Sequence, residues 1–430
     1  MSGLDIAEAY LNSLLTSERA SGEELDAYQS RLLQRLAKHA FEETPFYAAR
    51  RVAPEGLSAN SDFWLAQPYI SRRDITENFD AFRPRSFSKL HGVITPLTTG
   101  GSTGPAARRD ITSLEAVGRL LASYRMYHSW GLDQSRPLFV FRKLRQDQPR
   151  QEIWGFPWRD PAERGERLWI DIATPAREQL EQMAGRGPVY VNTLPSNILR
   201  LSCEALRTGT KLSIPFIVSV GEYLAPEVRE AAASAFGSTI IDAFSSAEGG
   251  VMAVQCPGSG IYHIQSEQLV LEIVKTDGAR AKPGETGEVV VTPLYGYATP
   301  LLRYRSGDFV VAGPACGCGR VLPAIASIAG RREHMFTRPG EAPELPKIDR
   351  FRLMQTIGHD EWLLAQLSED DMEFRYAGSL TASQEQAIGE HLHAVLGGRL
   401  RSRFTNVEAL PLTSGGKRHF TLNAGVLPPA

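Results

Sequence analysis

A run of seven small residues, 98–104, contains only glycine, serine and threonine and follows the apolar stretch 93–97. Glycines let backbone N–H groups approach a ligand closely, and hydroxyls add donors without bulk, so such a loop can wrap a polyphosphate. Pro105 stands where a Walker motif would continue, which disfavours an ordinary P-loop NTPase. A flexible surface linker is the alternative interpretation. The expected phosphate contacts are Thr99, Gly100, Gly101, Ser102, Thr103 and Gly104.

Further charged side chains follow, each on a strand end or a glycine-bearing loop, where ligands often bind. They are Glu248 after the apolar run 240–244, Asp308 at a glycine turn, Arg331 after a glycine, and Lys417 after two glycines. Each has an ordinary alternative: a solvated turn for Glu248, a turn cap for Asp308 and an exposed hairpin for Lys417. Phe244, at the strand end before Glu248, is either a stacking platform or a core aromatic.

Three cysteines and a histidine lie on two short, glycine-bearing segments. Cys256 and His263 form a Cys-x6-His pair, and Cys316 and Cys318 form a Cys-x-Cys pair. Three sulfurs and one nitrogen match the ligand count of a closed tetrahedral zinc site, so we predict a structural zinc clamp. The alternative is that the thiols are small buried apolar groups and His263 is a satisfied strand histidine.

Composition narrows the class of protein. The 430 residues carry 47 Lys plus Arg against 49 Asp plus Glu, a balance that implies no basic face and makes nucleic acid an unexpected partner. The first fifteen residues carry acids within an apolar pattern, which fits neither a secretory signal nor a membrane span. With only 4 cysteines in a chain of this length, we expect thiols in a reducing, cytoplasmic compartment rather than a disulfide framework.

The elements that must position these residues alternate in type along the middle of the chain. Apolar runs at 137–141, 189–192, 216–220 and 239–244 alternate with helical patterns at 177–183, 197–206 and 226–236. This alternation predicts an α/β fold with a largely parallel sheet. Residues 23–47 and 113–130 are also expected to be helical, the second capped by Thr112 and Glu115.

The pattern changes towards the C-terminus. Runs at 269–274 and 287–292, separated by Gly/Pro turns, predict a β-rich subdomain of about 265–330. We therefore expect a large N-terminal domain, 1–330, with mixed, mainly parallel sheets and this β subdomain. Residues 331–430 are expected to form a small, mobile α+β lid.

Taken together, these segments resemble the adenylate-forming superfamily of acyl-CoA synthetases, adenylation domains and luciferases, and within it the phenylacetate-CoA ligase-like branch. The resemblance runs from about Phe41 to the last residues. It includes residues 190–199, Val220-Gly221-Glu222 and the Cys-x-Cys-Gly-Arg run at 316–320, which are more similar to that branch than to long-chain acyl ligases.

The resemblance implies that ATP and a carboxylic acid form an acyl-adenylate and pyrophosphate, after which a thiol takes the acyl group. It implies that Lys417 bridges the acid and the α-phosphate, that Glu248 holds Mg²⁺, and that Asp308 and Arg331 bind the ribose. Phe244 is implied to stack on adenine. Glu222 and Ser245 are implied to complete the nucleotide site.

The same resemblance supplies the acid pocket and a hinge. Tyr223, Ala243 and Phe244 are the expected pocket walls, and Glu333 matches the position at which the lid swivels between half-reactions. Residues 244–248 depart from the family's Tyr-Gly-x-Ser/Thr-Glu, so a phenol, a glycine and a hydroxyl are missing. The lysine usual after the phosphate loop is replaced by Pro105, with Arg108 and Arg109 close behind.

The leading hypothesis is an ATP-dependent, AMP-forming acid–thiol ligase that makes a CoA thioester of an aryl or arylacetic acid. A close alternative transfers the acyl group to the phosphopantetheine thiol of an acyl carrier protein, or to an amine. A nucleotide-binding protein without turnover is the alternative of another class, motivated by the altered 244–248 segment. The expected cofactors are ATP, Mg²⁺, CoA and structural Zn²⁺. The resemblance also suggests a homodimer, with no membrane partner.

Overall fold

The computed structural model describes residues 3–49, 55–98, 108–145, 148–156, 160–338, 343–396, 401–410, 412–413 and 415–424. Within these ranges the helices are α1 (Gly3–Ser17), α2 (Gly22–Glu43), α3 (Asp62–Leu65), α4 (Arg72–Glu77), α5 (Ser113–Ser129), α6 (Ala176–Met183), α7 (Pro195–Thr208), α8 (Pro226–Phe236), α9 (Arg350–Ile357) and α10 (Ala382–Leu396). None of these helices has the length and apolar character that crossing a bilayer requires.

The strands of the described residues follow in chain order. They are β1 (Ile94–Thr98), β2 (Arg108–Thr112), β3 (Leu138–Arg142), β4 (Gln151–Ile153), β5 (Glu166–Asp171), β6 (Tyr190–Thr193), β7 (Phe216–Val220), β8 (Thr239–Ser246), β9 (Gly250–Gln255), β10 (Tyr262–Ile264), β11 (Leu269–Val274), β12 (Thr286–Pro293), β13 (Tyr304–Ala312), β14 (Ala324–Arg331), β15 (Trp362–Gln366), β16 (Asp371–Ala377), β17 (Arg401–Val407) and β18 (Thr421–Asn423).

One twelve-stranded sheet forms the body, in the order β11-β12-β13-β14-β10-β9-β8-β7-β6-β3-β5-β4. The strands β5, β3, β6, β7 and β8 are parallel neighbours, and the strands from β9 to β14 pair antiparallel. This confirms the α/β class with a large mixed sheet. The strands of the predicted β subdomain continue the same sheet, because β14 pairs with β10 as well as β13.

Helices cover both faces of the parallel strands. The apolar side chains of α6, α7 and α8 pack with β3, β6 and β7 in one core, and those of α1 and α5 pack against other side chains of the sheet in a second core. The helix predicted at 113–130 is α5, and Thr112 caps it by accepting from the Glu115 N–H as expected. The helix predicted at 23–47 ends at Glu43, because Pro45 cannot continue it and restricts the residue before it.

A separate four-stranded sheet, β17-β16-β15-β18, lies at the C-terminal end of the chain with α9 and α10. It has its own apolar core, which includes Trp362, Phe374 and Leu392. Helix α9 packs against α7 and α8 of the body, and the side chains of Arg200 and Arg418 both approach Asp360, at 3.4 and 3.2 Å. The predicted boundary at residue 330 lies in β14 and stays a prediction, as does the mobility of the lid.

Candidate functional site

A cavity of about 330 Å³ lies where the ends of β7, β8, β13 and β14 meet the C-terminal segment 415–421. We call it the cleft. Sequence-predicted residues from distant parts of the chain line it: Glu222, Tyr223, Ala243, Phe244, Ser245, Glu248, Asp308, Arg331 and Lys417. The fold therefore brings together the predicted nucleotide, acid and lysine positions. The predicted phosphate contacts at 99–104 lie outside the described residues.

Strand β8 carries Phe244 and Ser245 to the cleft and is followed by a tight turn into β9. The register between these strands shifts at Phe244 and Ser245, and the Gly249 N–H donates to Ser246 Oγ at 2.9 Å. Glu248 lies in this turn and is 7 % exposed, which is unlike a solvated turn residue. Its Oε1 accepts a hydrogen bond from the Tyr304 hydroxyl at 3.2 Å.

Asp308 and Arg331 face each other across neighbouring strands. They are register partners in β13 and β14, and Arg331 Nε donates to Asp308 Oδ1 at 2.9 Å. The nearby carboxylate raises the pKa of Arg331 above its ordinary value. A carboxylate and a guanidinium on one wall offer both an acceptor and donors to a polyhydroxylated ligand.

Lys417 reaches the cleft from a tight turn. Its N–H donates to Thr413 Oγ1 at 3.0 Å, and Gly416 has φ of 79°, where a Cβ would lie 2.8 Å from Ile172. Burial and the neighbouring Arg331 lower the pKa of Lys417, and Glu222 opposes them. An ammonium group held in a partly desolvated cleft interacts strongly with an anion.

Glu222 joins the body to the C-terminal segment. Its oxygens accept from the N–H and hydroxyl of Ser196, at 2.9 and 3.1 Å, and from the Arg418 N–H at 3.2 Å. Burial raises the pKa of Glu222. Beside it, the ring of Tyr223 has the guanidinium of Arg350 5.9 Å from its centroid, so the lid contributes to this wall.

Sequence reasoning missed several polar residues that line the cleft, among them Asp242, His334 and His419. Asp242 is 2 % exposed and accepts from Tyr262 at 2.7 Å and Ser219 at 2.9 Å, and burial raises its pKa. A carboxylate inside the apolar run 240–244 was the available signal. The His334 and His419 rings lie 4.9 Å apart, and no sequence signal links them.

Glu333, the predicted hinge residue, lies in the 3-10 turn Arg332–His334 directly after β14. Its Oε1 is 3.6 Å from Arg331 Nη1 and 3.8 Å from His334 Nε2. It therefore adjoins the cleft at the point where the chain leaves the large sheet.

The predicted zinc ligands come together away from the cleft. The ligand atoms of Cys256, His263, Cys316 and Cys318 all lie within 4.8 Å of one another. Cys318 Sγ is 3.3 Å from His263 Nε2, and Cys316 Sγ is 3.9 Å from Cys256 Sγ, too far for a disulfide. A tetrahedral zinc ion holds thiolates at about 2.3 Å, so the ligand atoms around it lie somewhat less than about 4 Å from one another. The two separations measured here are of that size. The donor set and the spacing fit the ion.

The chain is similar to known proteins in sequence and in fold. No family model matches the chain. A phenylacetate-coenzyme A ligase of Thermus thermophilus is 25% identical over 338 residues, 73% of this chain and 72% of the relative. A protein of the same name from Escherichia coli is 26% identical over 347 residues, 74% of each.

Two solved structures of a 2-hydroxyisobutyryl-CoA ligase share the fold. The postadenylation state in complex with 2-HIB-AMP matches with a TM-score of 0.72 at 19% identity, covering 95% of this chain and 91% of that one. The thioesterification state in complex with 2-HIB-AMP and CoA matches with a TM-score of 0.61 at 19% identity, covering 95% and 92%.

Proposed function

We infer that this chain is an adenylate-forming ligase related to the phenylacetate-CoA ligases, and we propose that it is an AMP-forming acid–CoA ligase. The resemblance predicted from the sequence is confirmed by the named relatives and by the shared fold. The observation that carries the activity is the cleft, which gathers Glu248, Asp308, Arg331 and Lys417 from four separate segments.

In the first half-reaction, a carboxylate oxygen of the acid attacks the α-phosphorus of ATP, the bond to pyrophosphate breaks, and an acyl-adenylate forms. In the second, a thiol loses its proton to solvent, the thiolate sulfur attacks the acyl carbon, and AMP leaves with the electrons of the broken acyl–oxygen bond. The first step brings anions together, so positioning and charge neutralisation supply most of the catalysis. Lys417 is proposed to bridge the acid and the α-phosphate, and its place in the cleft supports this role.

The nucleotide is proposed to lie along the wall formed by β8, β13 and β14. Asp308 accepts from the ribose hydroxyls with Arg331 beside it, and Phe244 stacks on adenine next to Ser245 and Glu222. Phe244 is 7 % exposed, so protein side chains already cover most of its ring, and the adenine would stack on the part of the ring that lines the cleft. The predicted contacts at 99–104 would bind the phosphates.

Glu248 is proposed to hold Mg²⁺. A buried carboxylate at the cleft suits a hard cation that prefers oxygen ligands. The ion would neutralise phosphate charge when bound.

The substrate is proposed to be an aryl or arylacetic acid, because the related curated proteins are phenylacetate-CoA ligases. Tyr223, Ala243 and Phe244 are the proposed walls of its pocket. An acyl carrier protein or an amine remains the alternative acceptor to CoA, and a homodimer remains a proposal from the resemblance.

Glu333 is proposed as the swivel between the half-reactions. The structure matches the postadenylation state of the 2-hydroxyisobutyryl-CoA ligase better than its thioesterification state, with TM-scores of 0.72 and 0.61. The structure is therefore more similar to the state named for the end of the first half-reaction, and the proposed swivel would follow that state. We also propose that Cys256, His263, Cys316 and Cys318 hold a structural zinc ion, supported by their spacing.

The test is carboxylate-dependent exchange of pyrophosphate into ATP, run with a panel of aryl, arylacetic and small aliphatic acids and with an acid-free control. We expect exchange with at least one aromatic acid, followed by thioester formation with free CoA. Thioester formation only with a phosphopantetheinylated carrier protein would favour the alternative acceptor. Binding of ATP without exchange for any acid would overturn the proposed activity in favour of a nucleotide-binding protein.

A further inference from the structure

We propose that Arg109 and Arg119 are positioning residues that hold the backbone of Glu248, and so fix its carboxylate in the cleft before a metal ion binds. We call these two residues the arginine pair. The inference rests on the proposed function, because that function assigns Glu248 to Mg²⁺. Neither arginine lines the cleft itself, so each would act through Glu248.

The arginine pair converges on two consecutive carbonyl groups. Arg109 Nη1 donates to the Glu248 carbonyl at 2.5 Å, and Arg119 Nη2 donates to the same carbonyl at 2.8 Å. Arg119 Nη1 also donates to the Ala247 carbonyl at 2.9 Å. Hydrogen bonds from charged donors are about twice as strong as neutral ones, so this peptide is held firmly from two elements, β2 and α5.

Glu115 ties the arginine pair together. Its Oε1 lies 2.7 Å from Arg109 Nη1 and 2.8 Å from Arg119 Nη2, and its side chain is 4 % exposed. Helix α5 places Glu115 one turn before Arg119, so both face the turn between β8 and β9. One carboxylate therefore serves two guanidinium groups, which leaves a net positive charge behind Glu248.

The arginine pair and Glu115 are buried at a cost in folding free energy. The Arg109 side chain is 1 % exposed, and its Nε and Nη2 have no hydrogen-bond partner among the described residues, nor does Glu115 Oε2. Buried charges with incomplete partners destabilise a fold relative to well-packed apolar side chains. Such a cluster is better explained by what it holds in place than by stability.

The turn is shaped to admit Arg119. Gly250 has φ of 69°, and a Cβ there would lie 3.0 Å from Arg119 Cγ. A larger residue at this position would strain the backbone and push the guanidinium away from its two carbonyl groups.

The carboxyl end of Glu248 is restrained as well. The Tyr304 hydroxyl donates to its Oε1 at 3.2 Å, and Tyr304 is 3 % exposed. With the carbonyl held by the arginine pair and the carboxylate by Tyr304, Glu248 loses little further freedom when it binds a cation. Preorganised ligands of this kind raise affinity because the ordering cost is already met.

The pair also connects Glu248 to the strand that follows the predicted phosphate contacts. Strand β2 begins at Arg108, soon after Gly104 in the sequence, and Arg109 is its second residue. The carboxylate proposed for Mg²⁺ and the strand after the loop proposed for phosphate are therefore joined by one buried side chain.

The experiment compares full-length Arg119→Met and Arg119→Lys with the unchanged chain. Two quantities are measured against free Mg²⁺ concentration: pyrophosphate exchange at saturating acid, and ATP binding by calorimetry. We expect Arg119→Met to raise the Mg²⁺ concentration at half-maximal effect by about tenfold, with ATP binding in EDTA unchanged. Arg119→Lys keeps a cation and is expected to recover part of the loss.

Arg125→Met is the matched control. Arg125 lies on the same helix in an ion pair with Glu267, at 2.7 Å, and does not contact Glu248. Its side chain is 2 % exposed against 20 % for Arg119, so any loss of stability should be at least as large. It is expected to lower the melting temperature without changing the Mg²⁺ dependence. The inference is overturned if Arg119→Met shifts the Mg²⁺ dependence no more than Arg125→Met does.

The two readouts separate this inference from the proposed function. If the unchanged chain binds ATP with Mg²⁺ but exchanges no pyrophosphate, the proposed activity fails, and the binding curves alone decide the role of the arginine pair. If Mg²⁺ has no effect on ATP binding or on exchange, the inference itself is wrong.

Discussion

Arg331 Nε donates to Asp308 Oδ1 at 2.9 Å, across two strands in which these residues are direct register partners. Both side chains line the cleft, and Asp308 is 7 % exposed. The sheet register, rather than a flexible loop, therefore sets the distance between the carboxylate and the guanidinium. Such a pair presents a fixed acceptor and a fixed donor to vicinal hydroxyls.

Replacing Asp308 by Asn is expected to weaken ATP binding. The substitution keeps the shape but removes the charge that accepts from the ribose, and hydrogen bonds to charged groups contribute about 1.5–3 kcal/mol. The KM for ATP in pyrophosphate exchange should rise by roughly ten- to a hundredfold, with a smaller effect on the KM for the acid. Glu288→Gln is the control, because Glu288 pairs with Arg305 at 2.5 Å and does not line the cleft. Equal KM values for ATP in the two variants would contradict the ribose assignment.

Lys417→Ala is expected to lower the rate of adenylate formation by about two to three orders of magnitude, the range seen when one stabilising donor is removed from a transition state. Thiolysis of a supplied acyl-adenylate should be spared. Lys143→Ala is the control, since Lys143 approaches Gly416 of the same turn but its side chain is 53 % exposed. Loss of both half-reactions to the same extent would argue against a lysine that acts only in the first.

The residues and strands that the sequence predicts are those that leave a local pattern in the chain. Glu248, Asp308, Arg331 and Lys417 stand in short local motifs, and these could be found in the chain without knowledge of the fold. The alternation of apolar runs and helical patterns likewise predicted the parallel strands β3, β6, β7 and β8.

Other features depend on contacts between distant segments and leave no local pattern. The arginine pair reaches Glu248 across more than a hundred positions, and His334 meets His419 only because the C-terminal segment returns to the end of β14. The pairing of β10 with β14, which merges the predicted β subdomain into the main sheet, is equally non-local. Strand register and long-range packing determine these contacts, and neither can be deduced from the local pattern of residues.

Glu333→Pro tests the proposed swivel. Proline fixes φ near −65°, which restricts rotation at this residue while the strand before it stays intact. We expect thioester formation to fall more than pyrophosphate exchange, so that acyl-adenylate accumulates. Glu344→Pro is the control. Glu344 lies further along the chain than Glu333, in an isolated β-bridge with Phe336, so this proline perturbs the C-terminal part without restricting the proposed swivel. Equal loss in both half-reactions, or no loss in either, would contradict the swivel.

His419 predicts a stability that depends on pH. Burial chiefly, and then the neighbouring His334, lower its pKa to about 4, and Lys417 and Arg331 act in the same direction against Glu333. The unfolded chain, with a histidine pKa near 6.5, therefore binds more protons than the folded chain between these values. The contribution of the neutral His419 to the free energy of unfolding is therefore fully present above about pH 6.5, and it is lost progressively as the pH falls towards 4.

The measurement is urea unfolding at pH 7 and pH 5. His419→Phe removes the titrating group, so its loss of stability between the two pH values is expected to be smaller than that of the unchanged chain. His128→Phe changes an exposed histidine and should follow the unchanged chain. A His419→Phe protein with the same pH dependence as the unchanged chain would show that this imidazole is not responsible.

Cys316→Ser is expected to lose the bound zinc and to lower the melting temperature by several degrees. Cys316 is one of three sulfurs around the proposed ion, and its loop between β13 and β14 is joined through the ion to Cys256 after β9. Because a structural metal contributes its binding free energy to folding, removing one ligand weakens both. Cys203→Ser is the control, since Cys203 lies on α7 outside the cluster. Elemental analysis of unchelated protein gives the decisive number: well under about half a zinc per chain would reject the site, whatever the thermal data show.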